Sequence, residues 1–251
     1  MERCVLLCAL AACGRIGFET GAQPVGGGDA GADGAITSGD GAPATAIAYV
    51  QALAERYPGM GATDSFTLQA VTAGDAVAFM VACAGSGTPT GVSVTAPGWA
   101  LLSLAPVTID APAQIAAASF GAIAPDTQPV TVSVAWAGTN CNRGKTELAD
   151  ELTNTDPTSA AAAFDAHAEA PGTGNCTTTV TTGHDDDAVW AACYSATMAT
   201  AVGSGYLPAA TDGNGDFAEY AVTTDPAGTA ETPTMVNPNG FVIVAASLKP
   251  R

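Results

Sequence analysis

The chain has 251 residues, with 24 acidic and 7 basic side chains and a formal net charge of −17 at pH 7. A phosphate-binding face needs clustered Lys and Arg, and the few basic residues here are widely spread. The composition therefore argues against nucleic acid as a partner, and it disfavours anionic lipid headgroups for the same reason. It favours an acidic surface that faces water.

The first residues have the pattern of an export signal. One Arg precedes an apolar run over residues 4–9, and small residues follow before Cys13, as in secretory signals. About nine apolar residues are too few to cross a bilayer, which needs about 20. Leu10-Ala11-Ala12-Cys13 resembles the lipobox of bacterial lipoproteins. The resemblance implies that residues 1–12 are removed and that Cys13 is acylated as the new N-terminus.

Residues 13–45 are predicted to carry the lipidated cysteine and a flexible linker. The segment is rich in Gly, Ala and Asp, as in Gly26-Gly27-Gly28-Asp29, and it has almost no large apolar side chain. Such a chain buries too little surface to offset its conformational entropy. Gly14 stands where an acidic residue is associated with inner-membrane retention in some bacteria with similar lipoproteins, so the resemblance implies the outer membrane.

The cysteines are consistent with export. Of the seven, two leave with the signal and one would carry lipid. An even remainder in an oxidising compartment predicts two disulfides. We expect Cys176 to pair with Cys193 across a hairpin that turns midway between them, which leaves Cys83 to pair with Cys141.

Residues 46–251 are predicted to form one antiparallel β-sandwich, jelly-roll or immunoglobulin-like, of about 10–12 strands. Short runs rich in Val, Thr and Ala alternate with Gly, Pro, Asn and Asp, which is typical of a sandwich or barrel. Residues 46–57 fit both a helical stripe and a strand alternation, and we favour a strand because the surroundings are β. The other predicted strands are 65–71, 76–84, 90–95, 99–104, 115–123, 130–136, 147–153, 164–170, 176–182, 188–195, 217–223 and 240–248.

Two of these strands are predicted to be central. Residues 76–83 and 240–248 are apolar throughout, as expected for strands covered on both faces. Residues 176–182 are nearly all Thr, which indicates a strand with a wet face. The pattern from Ser65-Phe66-Thr67-Leu68 to the final apolar strand resembles a widespread β-sandwich domain of secreted and surface-attached bacterial proteins. This resemblance implies a fold and a location, and none of its motifs is catalytic.

The sharpest local motif places oxygen side chains at alternate positions, in Asp212, Asn214 and Asp216. It resembles the start of an EF-hand-like loop, which implies Ca²⁺ as the ligand. The match then fails, because Phe217 stands where the loop needs Gly and Thr223 where it needs a bidentate Glu. The alternative, which we favour, is a tight turn at the central Asn-Gly.

Two further groups combine histidine with carboxylates. His184-Asp185-Asp186-Asp187 is predicted to be a solvated hairpin tip, because consecutive side chains point in different directions. In the alternating segment 164–169, Asp165, His167 and Glu169 share one strand face. Same-face neighbours are nearly 7 Å apart, too far to share one ion, so we predict a polar outer face.

Signals for catalysis are weak. The chain has no G-x-S-x-G elbow. Glu147, Asp150 and Glu151 could supply a glycosidase pair, but the sequence does not fix the distance between them. The aromatic side chains, including Trp136 and Trp190, could form a sugar-stacking platform, although the core needs most of them.

The sequence thus predicts a lipid-anchored, exported, monomeric β-sandwich that is not an enzyme and that displays or binds a ligand, carbohydrate or protein. The alternative is a calcium-assisted carbohydrate-binding module that uses Asp212, Asn214 and Asp216. A remote alternative is a hydrolase.

Overall fold

The computed structural model describes residues 46–195, 201–236 and 239–251. Over these ranges the regular secondary structure is almost entirely antiparallel β, which confirms the predicted all-β class. The signal, Cys13 and the predicted linker lie outside the described residues. The elements are β1 (Ala48–Arg56), β2 (Thr63–Leu68), β3 (Ala76–Ala84), β4 (Gly91–Thr95), β5 (Leu102–Asp110), β6 (Ile115–Ile123), β7 (Val130–Ala137), β8 (Gly144–Thr153), α1 (Ala160–Ala163), β9 (Phe164–Thr173), β10 (Cys176–Thr177), β11 (Val180–Thr181), β12 (Ala188–Ser195), β13 (Leu207–Thr211), β14 (Phe217–Val222), β15 (Ala230–Glu231), β16 (Thr234–Met235) and β17 (Gly240–Leu248).

A five-stranded central sheet, in the order β1-β8-β3-β6-β5, is covered on both faces. Val77, Phe79 and Val81 on β3 pack against the outer sheet, β2-β7-β4. Met80 and its same-face neighbours pack against the facing sheet, which is also five-stranded and has the order β13-β14-β12-β17-β9. All nine residues of β3 are therefore buried, because alternate side chains of a strand point to opposite faces. The apolar run 76–83 predicted this covering.

Two short ribbons cover the other face of the facing sheet. They are the pairs β10-β16 and β11-β15. Val189 of β12 and Ile243 of β17 form a buried cluster with Val180 and Met235 of the ribbons. The layers therefore follow one another as outer sheet, central sheet, facing sheet and ribbons. Strand β17 lies between two layers, as its apolar sequence predicts.

Both predicted disulfides are present. Cys83 of β3 is bonded to Cys141, which lies in the loop that leaves the outer sheet after β7. Cys176 of β10 is bonded to Cys193 of β12, so it joins a ribbon to the facing sheet. The hairpin predicted for this second pair is wrong, because β10 pairs with β16 while β12 pairs with β14 and β17. The bond runs between two layers and does not cross a strand ladder.

Some edge strands contain a proline, although the sequence pattern predicts that a strand ends before such a residue. Strand β5 continues past Pro106, although the predicted strand was 99–104. Strand β9 continues past Pro171, and β13, which was not predicted, contains Pro208. All three are edge strands, where a residue without N–H can face away from the ladder.

Two local predictions have clear outcomes, and one short element was not predicted. Residues 46–57 hold a strand, because β1 pairs with β8. The predicted strand 176–182 is divided into β10 and β11, which pair in different ribbons. The Ala-rich stretch before β9 forms one helical turn, α1, whose first turn is capped by Ser159 accepting from the Ala162 N–H at 3.1 Å.

Candidate functional site

Strand β8 carries three carboxylates into the interior. Glu147, Asp150 and Glu151 are each at most 1% exposed. Glu151 accepts hydrogen bonds from the Thr72 N–H and from Gln51 Nε2, both at 2.6 Å. These residues were candidates for a hydrolytic pair, and the structure gives each of them its own set of partners.

Asp150 faces the facing sheet and accepts three hydrogen bonds. The donors are Trp190 Nε1 at 2.7 Å, the Ala210 N–H at 3.0 Å and the Tyr49 hydroxyl at 3.3 Å. Burial raises the pKa of Asp150 to about 7 although these donors favour the charged form. Asp150 thus fixes the Trp190 ring and connects β8 to β13.

Glu147 belongs to a cluster of mixed charge. Arg56 Nη1 lies 3.2 Å from Glu147 Oε2, and Lys145 Nζ lies 3.4 Å from Asp64 Oδ2. Burial and the nearby negative charge of Asp64 raise the pKa of Glu147 to about 7, while the two cations oppose this rise. The carboxylate therefore balances one buried cation, Lys145, and one exposed cation, Arg56, and does not itself face open solvent.

The Asp212–Asp216 segment is a turn between β13 and β14. Asp212 Oδ1 accepts from the Asn214 N–H at 2.7 Å and from the Asp216 N–H at 3.2 Å. Asp216 is 5% exposed, and its Oδ1 accepts from the Ser195 N–H at 3.0 Å. The Asn214 side chain is exposed, and it is the backbone of this residue that contacts Asp212.

Asp212 and Asp216 share one hydroxyl. Thr146 Oγ1 lies 2.9 Å from Asp212 Oδ2 and 2.7 Å from Asp216 Oδ2. A hydroxyl donates only one hydrogen, so one of the two carboxyls must bring a proton of its own. Burial and the charge of Asp212 raise the pKa of Asp216 to about 8. Of the two carboxyls, Asp216 is therefore the one whose protonated form is favoured by its surroundings.

The loop between β11 and β12 gathers around Asp187. Asp187 is fully buried, and its Oδ2 accepts from the Gly183 N–H at 2.8 Å, the His184 N–H at 3.0 Å and the Ser247 hydroxyl at 2.8 Å. The predicted solvated tip is thus wrong for Asp187, because the loop curls back over it. Asp185 follows the prediction, since it is exposed and turns away to accept a backbone N–H elsewhere.

Asp165 of β9 completes this group. Its Oδ2 lies 2.6 Å from His184 Nδ1, and one ligand atom each from Asp165, His184 and Asp187 lies within 4.8 Å of the others. The Asp165 side chain is 13% exposed and that of His184 is 46% exposed. A methyl group on Gly183 would collide with the Asp165 carboxylate, so glycine permits the approach. We call these three residues the Asp-His-Asp cluster.

The sequence carried only part of the signal for this cluster. Gly183, His184 and Asp187 are close in sequence, so this part of the cluster could be recognised from the sequence. Asp165 was placed with His167 and Glu169 on a strand face, yet it contacts His184 instead, and His167 stays exposed on β9. The contact joins residues that are 19 apart in sequence. A hydrophobic periodicity relates only residues within one strand, so it could not predict this contact.

Two shallow hollows open on the surface. One, of about 420 Å³, lies between α1 and the loop before β5 and is lined by Leu101, Leu102 and Ile123 among others. The other, of about 440 Å³, lies between β4, β5 and β6 and includes Val92 and Phe120. Neither lining includes a titratable side chain. Their walls bring no acid or base to a ligand.

The large aromatic side chains serve mainly the core. Trp136 and Trp190 are 6% and 0% exposed, and Tyr194 is 4% exposed. The partly exposed rings of Tyr49 and Tyr220 stack on each other with centroids 4.8 Å apart. The core interpretation is confirmed for Trp136 and Trp190, and a sugar-stacking platform cannot include them.

Comparison of the chain with protein-family models, curated proteins and solved structures finds no match. Function is therefore inferred from the residues of this chain. Within the described ranges, no helix is long and apolar enough to span a membrane. The two disulfides indicate an oxidising, exported environment.

Proposed function

We propose that this chain is an exported lipoprotein whose β-sandwich is displayed on the cell envelope as a non-catalytic binding module. The observation that carries the proposal is the pairing of all four cysteines that follow the predicted linker. Disulfides persist in extracytoplasmic compartments and are rare in reducing ones. Cys13, in its lipobox-like context, is then the one cysteine of the mature chain left for acylation.

The interior carboxylates support a binding role over a hydrolytic one. A catalytic pair must reach a substrate, and the carboxylates of β8 are buried at the level of the core. Asp150 and Glu151 are engaged by donors of the protein itself. The two surface hollows offer apolar and hydroxyl-bearing walls to a ligand.

The lipid anchor is tested by expressing the full-length chain in a bacterium supplied with a clickable fatty acid. We expect the wild-type chain to carry the label and to sediment with membranes. Cys13→Ser should lose both properties. Cys8→Ser is the matched control, because it removes a cysteine within the predicted signal and should leave labelling unchanged. Labelling that survives Cys13→Ser would overturn the proposed anchor.

Display is tested in the same cells by probing with an external protease and by titrating thiols. Exported protein should be accessible after the outer membrane is permeabilised, and the mature chain should show no reactive thiol until it is reduced. A cytoplasmic fraction with free thiols at the positions of the two disulfides would contradict export.

A further inference from the structure

The Asp-His-Asp cluster contains buried negative charge that the described residues leave unsatisfied. Asp187 is 0% exposed, and its Oδ1 has no hydrogen-bond partner among the residues that the structure describes. Asp165 Oδ1 is likewise buried without a partner in the described ranges. An unpaired buried carboxylate oxygen carries a large desolvation penalty, so this arrangement needs a compensating group.

A proton alone compensates poorly here. One proton on Asp187 would neutralise that carboxyl alone, and it would leave Asp165 Oδ1 as a buried oxygen that accepts no hydrogen bond from any other described group. The His184 imidazole already faces Asp165 Oδ2, so it offers nothing to Oδ1 of either carboxylate. One carboxylate oxygen of Asp165 lies within 4.8 Å of one of Asp187, so the two like charges repel each other. A cation held between them would satisfy both.

We propose that Asp165, His184 and Asp187 bind a divalent transition-metal ion, with Zn²⁺ as the first candidate. Imidazole nitrogen with carboxylate oxygen suits Zn²⁺ and its first-row neighbours, whereas Ca²⁺ and Mg²⁺ prefer oxygen ligands alone. Zn²⁺ lies about 2.0–2.2 Å from such ligands. Ligand atoms already within 4.8 Å of one another need to move by only about 1 Å to share the ion.

The surroundings of the cluster resemble a prepared site. Three donors hold Asp187 Oδ2 in place, which fixes the carboxylate and leaves Oδ1 for the ion. Gly183 provides the space in which Asp165 approaches. The half-exposed imidazole gives solvent access on one side, so an ion can enter and keep a water ligand.

The ion would fasten the β11–β12 loop to β9. Asp165 belongs to the edge strand of the facing sheet, while His184 and Asp187 belong to the loop that enters β12. Ser247 of β17 is already connected to this loop through Asp187. The bound ion would therefore join three parts of the facing sheet at one point, and this role is independent of the proposed lipid anchor.

The test uses the full-length chain with its disulfides formed, without a polyhistidine tag and freed of metal by a chelator. Titration calorimetry with Zn²⁺ should show one ion bound per chain, and Ca²⁺ and Mg²⁺ should bind at least about tenfold more weakly. His184→Gln and Asp187→Asn should each lower the Zn²⁺ affinity at least about tenfold. In the Asp187 variant, the amide oxygen can still accept from the loop, so folding should be retained.

The chain offers matched controls for both substitutions. His167→Gln removes the only other histidine, and Asp186→Asn makes the same charge change one residue away on an exposed side chain. Both variants should bind Zn²⁺ as the wild type does, and the imidazole nitrogen resonances of His184, not of His167, should shift on titration. Absence of saturable Zn²⁺ binding, equal losses in the control variants, or tighter binding of Ca²⁺ would overturn the proposal.

Discussion

The turn at Asp212–Asp216 and the loop at Gly183–Asp187 both concentrate aspartates, yet their carboxylates end in different states. In the turn, Asp212 and Asp216 each accept from backbone N–H groups at one oxygen, and their other oxygens share the Thr146 hydroxyl. In the loop, a buried oxygen of Asp187 has no donor in the described part of the chain. The density of carboxylates in a sequence therefore does not reveal where charge is left unsatisfied, because donors from distant strands decide it.

The largest expected difference between the two regions is in stability. Asp187→Ala leaves the Gly183 N–H, the His184 N–H and the Ser247 hydroxyl without their acceptor in a buried place, so it should lower the unfolding free energy by about 3 kcal/mol. Asp212→Ala should cost about 1 kcal/mol, because water can reach that half-exposed turn. Urea unfolding of the oxidised chain measures both, and equal losses would break the comparison.

The second prediction concerns pH and uses the proton on Asp216. The folded pKa of about 8 lies above the ordinary value of 3.8, so the folded chain binds this proton more tightly than the unfolded chain does. The unfolding free energy should therefore fall as pH rises from about 4 towards 8. Asp216→Asn should flatten the profile between pH 5 and 8, by on the order of 2 kcal/mol.

The control for this titration is Asp186→Asn, which changes the same charge on an exposed side chain and should leave the slope unchanged. A residual slope should remain in Asp216→Asn, because the pKa values of Glu147 and Asp150 are also raised to about 7. A wild-type stability that rises between pH 5 and 8 would contradict the assignment of the proton.

The third prediction compares one glycine from each region. Gly183→Ala places a methyl group against the Asp165 carboxylate and should cost about 2 kcal/mol. Gly213→Ala meets open space but has a φ of +76°, so it should cost about 1 kcal/mol through backbone strain alone. Thermal unfolding measures the cost, and only the first substitution should also weaken Zn²⁺ binding.

The smallest expected effect tests the calcium prediction. Because backbone N–H groups and the Thr146 hydroxyl already contact the carboxyls of Asp212 and Asp216, we expect Ca²⁺ to raise the Tm less than Zn²⁺ does at the same concentration. Melting of the full-length chain with Ca²⁺ and with a chelator measures this. A clear Ca²⁺-dependent rise that disappears in Asp212→Asn would instead support a calcium site at Asp212, Asn214 and Asp216.

The inner strands could be predicted closely from the sequence. The predicted bounds are correct for β3, β6, β12 and β17. A strand covered on both faces has an unbroken apolar sequence, which makes its ends easy to recognise. Edge strands were harder, since Pro106 and Pro208 indicate a strand end unless the strand is known to lie at an edge. The total of seventeen described strands exceeds the expected number partly because the two-residue ribbon strands carry no periodicity.

The candidate site was less accessible to prediction. Asp212 and Asp216 do come together as their spacing suggests, but their distant partner Thr146 is 66 residues away from the nearer of them. Asp187 was placed in a solvated hairpin tip because consecutive side chains point in different directions, whereas Ser247 and two backbone N–H groups stabilise it inside. Long-range donors of this kind leave no trace in local composition.

The two disulfides also set how the domain responds to force. With the proposed lipid anchor, a partner that engages the domain would pull the chain along its length. Cys83–Cys141 spans 58 residues and Cys176–Cys193 spans 17, so a pull is transmitted directly across each bridge and the strands between the paired cysteines carry none of it. The oxidised domain can extend only through the segments outside the two disulfide loops. Reduction would allow the residues inside the loops to extend as well. Single-molecule stretching of the oxidised and reduced chains would read out that difference as a gain in contour length.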